Sequence, residues 1–163
     1  MQTKNQTTPN RLRLLACMVY EGMLLFGLVF IAAYLFDFLT DSRHGLKLRA
    51  ARQIFLFLLI SLYFLSAWKK SGQTLAMKTW RIRLTAKTGG NLNLLRLFLR
   101  YLLMWVFPLI TAIIIEIMAN KTQIAAIRTL IFLAPFSNFI YTWLDKEKQF
   151  LHDRLCHTRL VNS

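Results

Sequence analysis

Residues 14–36 read LLACMVYEGMLLFGLVFIAAYLF, an apolar run broken by one charge, Glu21. A helix of that length crosses a hydrocarbon layer of about 30 Å. An ionised side chain at the bilayer centre costs about 3 kcal/mol even on permissive scales, so an acid inside such a run marks a functional position by default. Lys4, Arg11 and Arg13 precede the run, which is also the layout of a signal peptide. The run is too long for a signal core and has no clean small-x-small cleavage site, so a retained span is expected.

Three further apolar runs follow. Ile54 to Trp68 is short, so its helix is expected to begin in the basic stretch before it. Tyr101 to Met118 contains Pro108, and Thr129 to Leu144 contains Pro135. A kink is expected in both, because proline removes a backbone donor that neighbouring helices must replace. The expectation is an all-α membrane protein, one domain over 1–163, with four transmembrane helices at about 14–36, 52–68, 101–118 and 129–144.

Composition agrees. Of 163 residues, 56% are hydrophobic, too apolar for an ordinary soluble domain. The chain carries 21 Lys and Arg against 7 Asp and Glu, a net charge of +14. The basic residues fill the gaps between apolar runs, with no zinc-finger or zipper pattern beside them, so nucleic acid is not the expected partner. By segment they number three before the first run, four in the first gap, eight in the second, two in the third and four in the tail. Four spans put 15 on one side and 6 on the other, which places both termini and the second gap in the cytoplasm of an inner membrane. Trp68, Trp105 and Trp143 fall near span ends, where interfacial anchors sit. Cys17 and Cys156 set no disulfide framework and read as free thiols.

In the second gap the period changes to two. Trp80, Ile82, Leu84 and Ala86 alternate with Arg81, Arg83, Thr85 and Lys87. Gly89 and Gly90 mark a turn, and Leu92 and Leu94 alternate with Asn91 and Asn93. A β-hairpin over about 80–95 is expected. Its basic face, with Arg81 and Arg83, could meet anionic lipid headgroups at roughly 1 kcal/mol per charge, or could only enforce topology.

Three blocks together resemble the RDD family of small bacterial membrane proteins: Arg13-Leu14-Leu15-Ala16 leading to Tyr20-Glu21, Ser71-Gly72-Gln73-Thr74-Leu75 running on to the Gly89-Gly90 turn, and Leu151-His152-Asp153-Arg154-Leu155. The resemblance spans nearly the whole chain. It implies that Arg13, or Arg11, matches the arginine of the family's name, Glu21 the first aspartate and Asp153 the second. Glu21 departs from the pattern by one methylene, which counts against tight metal ligation and leaves a proton or ion-pair role open. Some members are linked to alkali-cation/proton exchange, so the resemblance implies a cation/proton-coupled transporter or a subunit of one; a non-transporting scaffold is the other reading.

Glu21 comes eight residues after Arg13, roughly 12 Å deeper on a helix. It could exchange a proton, or bond to another helix through Asn138, Ser137 or Tyr141, or through Ser61 or Tyr63. Asp153 is expected to latch onto basic residues of the second gap, such as Arg81 or Arg83. Glu116, close to Asn120 and Lys121, is expected at the external interface. His152 and Cys156 share a helical face, but no second pair completes a metal site. His44 stands alone in the first gap, and no phosphate loop, Gly-x-Ser-x-Gly or His-Glu-x-x-His occurs, so neither an enzyme nor a cofactor is expected. Gly22, Gly27, Ala32 and Ala33 would permit close helix contact in a homo-oligomer.

Overall fold

The computed structural model describes residues 7–41, 48–87 and 89–163; His44, Arg43, Lys47, Lys4 and Thr88 lie outside them. Helix α1 is Arg11–Leu39 and α2 is Arg49–Ser71. A short α3, Leu75–Thr79, leads to strand β1, Ile82–Ala86. Then come α4, Leu94–Met104, and α5, Val106–Thr122, continuous through Trp105. α6, Ala126–Thr129, a 3-10 segment, Leu130–Phe136, and α7, Ser137–Leu144, make one broken helical stretch. α8, Leu151–Leu155, and β2, Thr158–Asn162, complete the fold.

Among the described residues, three helices are long and apolar enough to cross a membrane: Arg11–Leu39, Arg49–Ser71 and Leu94–Thr122. Each contains the apolar run read from the sequence. Their flanks carry large apolar side chains in the open, among them Met23, Phe26, Phe30, Tyr34 and Phe38 on α1. Such a surface is stable only against lipid, where the helix already satisfies its own backbone. The third crossing begins seven residues earlier than its apolar run, which takes Arg100 out of the loop and into a helix. The fourth run is not one regular helix, because Pro135 lies within its 3-10 segment.

The proline in the third crossing has a visible remedy. Pro108 has no N–H for the carbonyl of Met104, four residues earlier, and α4 gives way to α5 there. Asn138 of α7 donates its Nδ2 to that carbonyl at 2.8 Å. A break inside the bilayer thus becomes a cross-helix hydrogen bond.

The expected hairpin is corrected. β1 has the faces the alternation implies, with Ile82, Leu84 and Ala86 buried and Arg83 exposed. Its partner is not 91–95 but the distant β2, antiparallel, with Ile82 opposite Asn162 and Ala86 opposite Thr158. Asn91 to Asn93 is too short a strand to compete with α4, which starts at Leu94 and gains a bond per residue.

The packed core lies at one end, beneath this sheet. It joins Leu14 and Cys17 of α1, Phe64 and Trp68 of α2, Leu84 of β1 and Tyr101 of α4. Trp68 is therefore no interfacial anchor: it is buried, while Trp143 is exposed. Ala32, expected on an oligomer face, is also buried within the chain.

Asn138→Leu should leave the Met104 carbonyl unpaired and cost about 1–3 kcal/mol. Adding Pro108→Ala restores a backbone donor and should recover most of that loss. Unfolding of the purified single and double variants in detergent measures it.

Candidate functional site

The Gly72-Gln73-Thr74-Leu75 block builds the first wall of the site. Gly72 ends α2 in the left-handed region at φ 69°, and a Cβ there would meet the Leu84 carbonyl at 2.9 Å. Only glycine allows both the turn and this approach of strand to helix end. Its carbonyl accepts from Leu84 N–H at 2.8 Å. Gln73 Nε2 donates to the Ile82 carbonyl at 2.7 Å. The tight turn delivers Thr74 as the cap of α3, where its Oγ1 accepts from Met77 N–H and donates to Glu21 Oε2. Tyr63 of α2 donates to Glu21 Oε1 at 2.6 Å. Of the candidate partners named for Glu21, Tyr63 is the one bonded to it. Thr74 was hidden from the sequence, since it lies 53 residues away.

Glu21 lines a cavity of about 450 Å³ between the helices and the sheet. Arg100, Asn138 and His152 lie in the same lining, and most of the rest is apolar or aromatic, including Phe64, Trp68 and Trp105. Asn138 shares the cavity with Glu21, but its amide goes to Met104.

Asp153 forms a second, deeper cluster. It is fully buried and accepts from Arg100 Nε at 2.7 Å and from Thr158 Oγ1 at 2.8 Å. The Arg100 guanidinium lies 4.2 Å over the ring of Trp68. The expected latch therefore closes on Arg100, not on Arg81 or Arg83. The strand's alternation leaves Arg83 exposed, and Arg81, just before the strand, is exposed as well. Arg100 lies on the buried face of α4 beside Leu97 and Tyr101, where a guanidinium needs a partner.

Arg13 serves the sheet. Its guanidinium reaches Asn162 Oδ1 at 2.9 Å and the Trp80 carbonyl, so it clamps the sheet to the start of α1 and makes no contact with Glu21. Glu116 pairs with Arg128 at 3.3 Å, both about half exposed. Among the described residues no cluster of three metal-ligating side chains occurs.

Burial holds the His152 imidazole down at about 4, against the opposing pull of Asp153 and with help from the Arg100 charge. Burial pushes the Asp153 carboxyl up, but the Arg100 charge and the hydrogen bonds from Arg100 and Thr158 outweigh it and keep it below the usual range. The folded value of His152 lies under the 6.5 of a free imidazole, so the fold favours the neutral ring. That stability is intact above about 6.5 and is lost as pH falls toward 4.

Two outcomes are expected. Unfolding stability in detergent should fall between pH 6.5 and 4 by up to about 1.4 kcal/mol per unit, and His152→Gln should flatten that slope. Arg100→Met alone should cost about 3–5 kcal/mol, while Arg100→Met with Asp153→Leu should recover a large part, because the lone buried charge is then gone.

The model of the RDD family matches residues 9–157. No curated protein and no solved structure matches the chain. The match covers most of the sequence and takes in the helix of Glu21, the Gly72–Leu75 turn and Asp153; the chain belongs to the RDD family.

Proposed function

We propose that this is a four-span inner-membrane protein with both termini in the cytoplasm, and that it moves a cation or proton through Glu21. The observation that carries the reading is the Glu21 carboxylate on the wall of a cavity among apolar helices. A carboxylate has about four acceptor positions, and Tyr63 and Thr74 use two of them. The remainder suit a proton or cation that comes and goes, as intramembrane acids in transporters do.

Four crossings are supported by where the ends meet. Arg13 at the start of α1 reaches the sheet that follows α2, and Arg11 donates to the Thr142 carbonyl near the end of α7. The sheet itself joins the segment before α4 to the segment after α8. If α4–α5 leaves this end of the bundle, residues 126–144 must return to it. At about 1.5–2.0 Å per residue that stretch extends roughly 30 Å, enough for the return. The charge imbalance supports the sheet end as cytoplasmic.

In purified protein reconstituted into liposomes, a sodium, potassium or lithium gradient should drive proton movement. Glu21→Gln should abolish it while leaving the protein folded. Flux that survives the substitution sinks the proposal.

A scaffold reading also has an observation in its favour. Arg81 and Arg83 are exposed, and their side chains make no hydrogen bond or ion pair among the described residues. Under it, flotation with anionic vesicles would be lost when Arg81, Arg83 and Lys87 are neutralised together, and Glu21→Gln would change stability alone.

A further inference from the structure

The Glu21 cavity does not end at the helices. A second groove of about 410 Å³ lies outside it, lined by Val19 and Met23 of α1 and by Phe132 and Phe136 of the broken fourth stretch. The two share Met18, Gly22, Phe26 and Pro135 as lining. Met23 and Phe132 are among the most exposed apolar residues of the chain, so this mouth opens sideways, onto the acyl region. Gly22 lies roughly 16 Å along α1 from Arg11, near mid-bilayer. A Cβ on Gly22 would meet nothing within 4 Å.

With Glu21 ionised, the charges around the inner chamber sum to one negative. Arg100 is neutralised by Asp153 behind it, and His152 is held neutral by burial. Cys17 on α1 and Tyr63 on α2 are the other titratable neighbours of Glu21, and a thiol and a phenol ordinarily carry no charge at neutral pH. That leaves Glu21. The lining also holds the rings of Phe26 and Trp105, with Phe64 stacked on Trp68, Trp68 under the Arg100 guanidinium and Phe150 stacked on His152. Aromatic faces and one carboxylate in an otherwise apolar chamber attract a cation that carries its own apolar body, because a small hydrated ion gains nothing from such walls.

We propose that the cavity is a binding site for lipophilic organic cations, which enter from the bilayer through the opening at Gly22 and are held by Glu21. This rests on the transport reading for Glu21 and names its substrate class. Binding of the cation displaces any proton on the carboxylate into water, so cation and proton alternate on one group.

The probe is tetraphenylphosphonium, measured by equilibrium binding to the purified full chain in detergent, beside neutral triphenylphosphine oxide. Saturable binding of the cation is expected, with the neutral compound and Glu21→Gln each weaker by about tenfold or more. In weak buffer near the pH where Glu21 titrates, binding should release protons, and Glu21→Gln should release none. Gly22→Phe tests the route independently of the charge. The open space at Gly22 should let it fold with unchanged melting, and binding should be weakened or slowed. Equal binding of cation and neutral compound, or binding indifferent to Glu21→Gln, overturns the proposal and points to an acyl chain as the occupant. Proton flux driven by alkali cations, without tetraphenylphosphonium binding, would overturn this inference and keep the transport reading. Glu21-dependent binding without any flux would do the reverse.

Discussion

The Arg100–Asp153 pair ties together two segments 53 residues apart and fixes where everything at that end of the bundle sits. Asp153 belongs to α8, and five residues later β2 begins, so anchoring the carboxylate anchors the strand. β2 in turn supplies the partner that β1 lacks locally. With β1 in place, Leu84 can meet Gly72, and the turn at Gly72 brings Thr74 to Glu21. A buried charge pair is a poor source of net stability, since both ions lose water. It is a strong source of register, because neither partner tolerates being left alone.

The two ends of the molecule follow different rules. At the sheet end, side chains interlock as in a soluble core, with Leu14, Tyr101 and Leu84 almost fully enclosed. Farther along, the helices leave Phe30, Phe38 and Ile113 bare, and lipid replaces the missing neighbours. Polar groups in that second region survive only with partners inside the bundle. The Met104 carbonyl, freed by Pro108, takes the Asn138 amide, and Glu21 takes two hydroxyls. The difference between them is spare capacity. The Met104 carbonyl has been given its missing donor, while the carboxylate keeps open acceptor positions beside a cavity. The same carboxylate that needs two donors to be tolerated is therefore the group able to bind something further.

Local pattern made much of this legible. A run as long and apolar as 14–36 permits few alternatives to a spanning helix, and period two over 82–86 assigns each side chain its face without reference to any partner. The carboxylate in the first run stood out because its surroundings made it costly, whatever its neighbours. The Gly72-Gln73-Thr74 block stood out only as part of a resemblance, and neither its turn nor what the turn serves was legible.

Pairing across the chain was decided only in three dimensions. Strand β1 carries no information on whether its partner begins at residue 91 or 158, because backbone hydrogen bonds are the same with any strand. Arg100 looks like one more basic residue until a fully buried Asp153 lies against it, and Arg13 shares a helix with Glu21 yet spends its guanidinium on the sheet. Sequence fixes the period and polarity of each segment, since those depend on residues a few positions apart. Which segments meet, and so which charges neutralise each other and which one is left facing a cavity, depends on packing between residues far apart in the chain.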